Sequence, residues 1–216
     1  MGALLALTAF CVALYGVRVW YADELRFRFL LWNLFLAWIP LPLAIGFARD
    51  VERAGRFRAR GLAFGAGWLL FFPNAPYIIT DFVHLYDDPP VPLWFDALGI
   101  GAFAWTGLLL GLVSLAIVHE AARRLLTSAQ AWLLVAGVTV LAAFGVYVGR
   151  FLRWNSWDVV QDPARLGRDL RGELSSPLTH PRSYVVTGIV ALLLLLSYAV
   201  FDALRARQPD RERSTN

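Results

Sequence analysis

Six long stretches of this sequence contain no charged residue and no histidine, and they constrain the fold more than any other feature. They span residues 2–17, 29–48, 61–80, 97–118, 125–149 and 183–201. An α-helix needs about 20 apolar residues to cross roughly 30 Å of hydrocarbon, so five of the six are long enough as they stand. The first gains reach through Val19 and Trp20, with Arg18 extending its side chain to the membrane surface.

These stretches are predicted to be helices, because open strands in lipid would leave backbone N–H and C=O groups unpaired. The composition agrees: 17% of the residues are charged, against about 25% in a soluble domain. We therefore predict an all-α polytopic membrane protein with a single domain over 1–204 and a charged, disordered cytoplasmic tail over 205–216. Its bundle of about six transmembrane helices is predicted at about 2–20, 29–48, 61–86, 94–118, 129–149 and 183–204.

A short interfacial helix is predicted after the fifth transmembrane helix. Asp162 before Pro163 is a plausible helix start. Leu166, Leu170 and Leu174 then recur at four-residue spacing, opposite charged residues. This pattern is typical of a helix that lies on the membrane surface.

Arginine counts indicate which side of the membrane the connections face. One set of connections holds five, two and four arginines, at 49–60, 119–130 and 205–216. The other set holds three, none and six, at 18–28, 81–96 and 150–182. The last of these is long and has polar residues that could belong to a site; without it the count is eleven against three. Because short cytoplasmic loops collect arginine, we predict cytoplasmic termini and place 81–96 and 150–158 outside together.

The third apolar stretch is broken in its middle by Pro73-Asn74-Ala75-Pro76. The prolines lack an N–H donor and disrupt a regular helix, and Asn74 can cap a new helical segment. A kink near the surface would explain the prolines alone, whereas a break within the bilayer would resemble a transporter binding site. Ionisable residues just beyond such a break favour a cavity or a polar partner. At spacings of three and four, one helix face would hold Asn74, Tyr77, Asp81, His84 and Asp88.

The sequence GRFLRWNSWD, residues 149–158, forms a second polar cluster at the end of the fifth helix. Arg150 and Arg153 are three residues apart and are therefore predicted to be neighbours on that helix. Tryptophan and arginine also anchor helix ends at the membrane surface, which would explain the tryptophans. Membrane anchoring does not explain Asn155, Ser156 and Asp158. Asn155 or Ser156 could simply cap a helix that begins at Trp157.

The polar residues on this side allow two uses. The arginines could be neutralised in an ion network that holds the third, fourth and fifth helices together, by the acids Asp81, Asp88, Asp96 and Asp158. Alternatively, the arginines bind a phosphate or carboxylate while Asp81 and His84 handle a proton or a metal. For Asp96 the positive end of the helix dipole is a sufficient account. Asp81 and His84 offer only two metal ligands, and the lone Cys11 excludes a disulfide within the chain. We predict neither a metal nor a cofactor.

The chain resembles the domain of unknown function 1361 family, a family of uncharacterised bacterial membrane proteins. The resemblance is carried by LLWNLFLAWIP, WLLFFPNAPYIITDFVHL, the acid of WFDALG, and GRFLRWNSWD. It implies a hydrophobic bacterial inner-membrane protein with no assigned activity. The family's characteristic polar positions would correspond to Asn33, Asn74, Tyr77, Asp81, His84, Arg150, Arg153, Asn155 and Asp158.

We therefore expect a protein of the bacterial cytoplasmic membrane that binds or transports a polar or anionic ligand, such as a lipid headgroup, near its outer face. The predicted binding residues are the nine family positions together with Asp96. One alternative is a membrane enzyme that acts on a lipid-linked substrate with Asp81 or His84 as base or metal ligand. Another is a structural partner in a membrane complex. The expected partners are the bilayer and such a ligand, with no nucleic acid, because basic loops serve membrane topology; the oligomeric state is left open.

Overall fold

The computed structural model describes residues 1–86, 90–175 and 181–206, except for the side chains of residues 160, 174 and 175. These residues are almost entirely helical and form no strand. A 3-10 helix occupies Ile78–His84. The α-helices are α1 (Gly2–Ala22), α2 (Arg28–Trp38), α3 (Pro40–Ala54), α4 (Ala59–Phe71), α5 (Asn74–Tyr77), α6 (Leu93–Arg123), α7 (Ser128–Phe151), α8 (Asp158–Gln161), α9 (Pro163–Ser175) and α10 (Pro181–Ala206).

Within the described ranges, six helical spans are long and apolar enough to cross a membrane. Two of them consist of consecutive pieces, Arg28–Ala54 and Ala59–His84. The prediction of an all-α multi-pass membrane protein is therefore confirmed. We call the membrane face where α1 and the 3-10 helix end and α6 begins the site face.

The second span is interrupted where the sequence places its prolines. α2 ends at Trp38, and the N–H of Ile39 donates to Leu36 O at 3.2 Å in a tightened last turn. Pro40 then occupies the first turn of α3, where its missing N–H leaves no bond unmade. α2 and α3 are thus consecutive pieces of one span.

α6 is the central helix of the bundle. In its most apolar window 61% of the residues are buried, against 17% for α1 and for α10. α6 packs against α1, α2, α3, α7 and α10, and against α5 and the 3-10 helix of the third span. α6 therefore positions the part of the third span that carries its polar residues.

Glycines let the broken third span approach its neighbours closely. A Cβ atom on Gly107 of α6 would lie 2.6 Å from Ala75 O, and one on Gly145 of α7 would lie 2.7 Å from Pro73 Cγ. Real Cβ atoms do not come that close, so both positions need glycine for this packing. The interrupted segment is held from two sides.

The amphipathic helix predicted after the fifth span is α9. The Asp162 carboxylate accepts a hydrogen bond from the Arg165 N–H at 3.1 Å, as expected of a residue that starts a helix. Leu166 is buried while Arg165, Arg168 and Asp169 are exposed. At the other end of the chain α10 continues to Ala206, and the rest of the tail predicted at 205–216 lies outside the described residues.

Candidate functional site

The prolines of the third span tighten the helix and do not open it. α4 ends at Phe71, a short turn follows, and the chain continues as α5 and the 3-10 helix. Ala75 N donates to Phe72 O at 3.1 Å, and Tyr77 N donates to Pro73 O at 3.1 Å. Backbone N–H groups beside the prolines thus donate to the carbonyl groups around the interruption.

Asn74 holds this turn to the loop after α7. Its predicted role as an N-cap is wrong, because Pro73 is the residue before α5 and no side chain caps that helix. The Asn74 amide instead donates to Phe71 O at 2.9 Å and to Ser156 Oγ at 3.1 Å, and Ser156 Oγ donates to Leu70 O at 3.1 Å. The side chain satisfies a carbonyl freed at the break, where helix geometry leaves acceptors unpaired.

The 3-10 helix determines which polar residues share a face. It has three residues per turn, so residues three apart lie above one another. Asp81 and His84 therefore project to the same side, where both contact Arg150. Thr80 also contacts Arg150. Asp88, the last member of the predicted face, lies outside the described residues.

Arg150, in the last turn of α7, is the centre of the polar cluster. Its Nε donates to Thr80 Oγ1 at 2.8 Å, its Nη2 donates to Asp81 Oδ1, and its Nη1 lies 3.1 Å from His84 Nε2. Its Cζ lies 4.6 Å from the centre of the Tyr77 ring, in a cation–π contact. One guanidinium group therefore engages four side chains of the broken span.

In the contact between Arg150 and His84 the imidazole nitrogen Nε2 is the acceptor, because an arginine can only donate hydrogen bonds.

Asn33 adds the second span to the cluster. Its Nδ2 donates to Asp81 Oδ2 at 2.8 Å, so each carboxylate oxygen of Asp81 has a donor. The Asp81 side chain is 1% exposed and that of Arg150 is 13% exposed. Asn33, Asp81 and Arg150 thus form a largely buried, charge-balanced group at the site face that joins three spans.

Asn155 and Asp158 form a separate local turn. The backbone N–H of Asn155 donates to Asp158 Oδ2 at 2.6 Å, and its side-chain amide lies 3.3 Å from the same oxygen. α8 begins at Asp158 with Trp157 as the preceding residue, so neither Asn155 nor Ser156 caps it as proposed. Of the residues in this loop, Ser156 contacts the broken span through Asn74.

Arg153 is not beside Arg150 on a helix, and that prediction is wrong. α7 ends at Phe151, and Arg153 has a φ of 60°, a left-handed conformation that terminates the helix. Its side chain is exposed and makes no hydrogen bond or ion pair with the residues that the structure describes. Arg150 is therefore paired and largely buried, whereas Arg153 is exposed and lacks such a pair among the described residues.

Asp96 is also separate from the cluster. Arg18 Nε donates to Asp96 Oδ1 at 2.8 Å, and both side chains are about 95% buried. Arg18 was expected to reach the membrane surface, and this expectation is wrong because the carboxylate at the start of α6 holds it inside. Asp96 therefore neutralises Arg18 and contacts neither Arg150 nor Asp81 through a hydrogen bond found among the described residues.

Sequence reasoning missed two groups of polar residues. Thr80 was overlooked because it lies off the three-and-four pattern of an α-helix, yet the tighter helix brings it to Arg150. His119 was not singled out, but it is 1% exposed and its Nδ1 lies 2.7 Å from Tyr198 Oη. A histidine directly after an apolar run and a tyrosine within another span were the available signal.

The chain belongs to the family described as "Protein of unknown function (DUF1361)", which it matches over residues 32–197. This match covers the broken third span, the α7 end and Asp96, while Arg18 lies before it. No curated protein and no solved structure matches the chain. The family carries no assigned activity, so the function must be argued from the cluster itself.

Proposed function

We propose that this membrane protein binds or transports a polar ligand with an anionic group, such as a lipid headgroup, at the Arg150 cluster. In the same proposal the site face lies outside a bacterial cytoplasmic membrane and both termini lie inside. The observation that carries it is the position of Arg150, a largely buried cation at the end of α7 whose acceptors are side chains of the 3-10 helix. Ionisable groups at such positions are costly and mark ligand or ion pathways.

Charge balance indicates how an anion would enter. Asp81 offsets Arg150 in the observed arrangement, so the pair is neutral. An anion that binds Arg150 must displace Asp81, and a second negative charge in a buried site is costly unless it is neutralised. Uptake of one proton by the displaced carboxylate removes that cost. The ligand is therefore proposed to bind together with a proton.

Arg153 would make the first contact with this ligand. It is exposed and its guanidinium is free of the described residues, whereas Arg150 is already paired. A guanidinium presents a planar set of donors that matches phosphate and carboxylate oxygens. Arg153 thus serves as the outer cation and Arg150 as the inner one.

A structural role is the second candidate, and the pairing of Asp81 supports it. Both carboxylate oxygens have donors from different spans, so the cluster also fastens the second, third and fifth spans together. Catalysis by Asp81 or His84 stays a prediction, because both accept from Arg150 here and either would first have to be released to act as a base.

The test compares phosphatidylglycerol with phosphatidylcholine as probes. Wild-type protein in nanodiscs that contain both lipids should retain the anionic lipid preferentially after transfer to detergent, measured by native mass spectrometry. Asp81→Asn removes the carboxylate that neutralises Arg150, so it should increase the preference for phosphatidylglycerol and remove the dependence of that preference on pH. The double variant Asp81→Asn/Arg150→Gln removes both charges and should abolish the preference while keeping its helical circular dichroism.

Arg153→Gln should lower the retention of phosphatidylglycerol, and Arg58→Gln, an exposed arginine beyond the opposite end of the bundle, is the control. Equal retention of both lipids by the wild-type protein would refute the proposal that it binds an anionic lipid headgroup. A double variant that folds and keeps the wild-type preference would leave only the structural role.

A further inference from the structure

Arg18 forms the second buried ion pair of the site face, and its pairing is incomplete. Nε and Nη2 of its guanidinium lie 2.8 Å and 3.4 Å from the two carboxylate oxygens of Asp96. The remaining nitrogen, Nη1, is buried and has no hydrogen-bond partner among the described residues. A buried donor without a partner is unfavourable, so a ligand that brings an acceptor to Nη1 would bind favourably here.

A cavity lies against the same arginine. It has a volume of about 260 Å³ and is enclosed mainly by apolar side chains between the end of α1 and the start of α6, among them Val17 and Phe95. Three aromatic residues of its lining are strongly exposed: Trp20 at 83%, Tyr21 at 60% and Trp94 at 63%. Trp and Tyr gather at the level of lipid headgroups, so the cavity opens at the membrane–water interface.

The charges around Arg18 select the kind of acceptor. Asp96 already neutralises the guanidinium, and an anion at Nη1 would approach that carboxylate. A neutral oxygen meets no such repulsion. The ligand is expected to combine an apolar body with an uncharged acceptor such as an ester carbonyl.

The size of the cavity limits how much of a ligand it can hold. Pockets that enclose a whole drug-sized molecule measure about 300–1,000 Å³, so this one holds only part of a molecule. The ester end of an acyl lipid lies at the same depth as the aromatic rim and has both the carbonyl and the chain. We infer that this cavity binds one acyl lipid, with an ester carbonyl accepting a hydrogen bond from Arg18 Nη1.

This site is independent of the function proposed for Arg150. It uses α1, all of which precedes the family match, and it binds the acyl linkage of a lipid, whereas the Arg150 cluster binds a charged group. A second, smaller space of about 20 Å³ borders Arg18, Phe27 and Asp96. It has room for a single water molecule, which is the simplest competing partner for Nη1.

The experiment uses two phosphatidylcholines with the same headgroup and chain length, one with ester-linked and one with ether-linked chains. Full-length protein is reconstituted with an equal mixture, transferred to detergent and examined by native mass spectrometry. Because only the ester lipid has the carbonyl, we expect one retained lipid per chain and at least a fivefold excess of ester over ether.

Val17→Trp fills the cavity and leaves the ion pair in place, and it should reduce retention of the ester lipid at least tenfold. Val12→Trp is the matched control, because Val12 is on the same helix and similarly exposed, 47% against 50% for Val17. Val17→Leu, a smaller change, should give partial loss and serves as the test if Val17→Trp does not fold.

Equal retention of ester and ether lipids would mean that water alone satisfies Nη1, and the proposal would be overturned. Unchanged retention in folded Val17→Trp, or in Val17→Leu in its place, would overturn it as well, because the lipid would then be bound elsewhere.

Discussion

Substitution of Arg150 by glutamine should destabilise the protein far more than removal of both members of its ion pair. In Arg150→Gln the carboxylate of Asp81, which is 1% exposed, keeps only the Asn33 amide as a donor. Breaking a buried pair in this way costs about 3–5 kcal/mol, because one charge stays buried without compensation. The free energy of unfolding of this variant therefore measures how much Arg150 compensates the buried charge of Asp81.

The reverse substitution should cost less. In Asp81→Asn the guanidinium of Arg150 keeps Thr80 and His84 as acceptors, and its long side chain, already 13% exposed, can extend toward the surface. A lost hydrogen bond to a charged group is worth about 1.5–3 kcal/mol. In the double variant two neutral amides replace two ions, and we expect stability within about 1 kcal/mol of wild type.

The assay is reversible unfolding in mixed micelles with sodium dodecyl sulfate as denaturant, followed by far-ultraviolet circular dichroism. The double-mutant cycle should give a coupling energy of about 3 kcal/mol or more between Asp81 and Arg150, at the upper end for contacting residues. Glu52 and Arg124 form the control pair, because their side chains are 62% and 51% exposed and such pairs contribute little. If the double variant is as unstable as Arg150→Gln, the account of Asp81 as a charge compensated by Arg150 is wrong.

Two further predictions concern helix packing and capping. Gly107→Ala should lower the free energy of unfolding by about 1–3 kcal/mol, because its methyl group would meet Ala75 O at 2.6 Å; Gly99→Ala on the same helix meets nothing within 4 Å and should be neutral or slightly stabilising. Thr127→Ala removes the capping box that Thr127 forms with Gln130 at the start of α7 and should cost about 1 kcal/mol in the same assay.

The fold could be predicted because a bilayer leaves few solutions to a chain of this composition. Backbone groups in lipid must be satisfied within the segment, so each long uncharged stretch becomes a helix. The prolines at 73 and 76 also indicated where the third span is interrupted, since an absent N–H is a local property. These features depend on the residues themselves and not on their partners.

Side-chain partners could be predicted only where the helix type was right. Asp81 and His84 were placed on one face by their three-residue spacing, which holds in both helix types. Arg153 was misplaced because α7 ends two residues earlier, and a left-handed residue other than glycine leaves little trace in sequence. Arg18 and Asp96 are 78 residues apart, and their pairing depends on how two helices are rotated.

The distribution of ion pairs between the two membrane faces connects these observations. At the site face, Arg18–Asp96 and Arg150–Asp81 are almost fully buried. At the opposite face, Arg124–Glu52 is more than half exposed, and Arg123–Asp202 is partly buried, with side chains 33% and 18% exposed. A buried pair is weak evidence for stability, because well-packed apolar residues of similar volume often serve as well or better. A bundle that needed only cohesion would gain little from charge at the site face. The buried guanidinium groups there are better explained by the ligands proposed for them, and the double variant at Asp81 and Arg150, which keeps the packing and removes the charge, separates these two explanations.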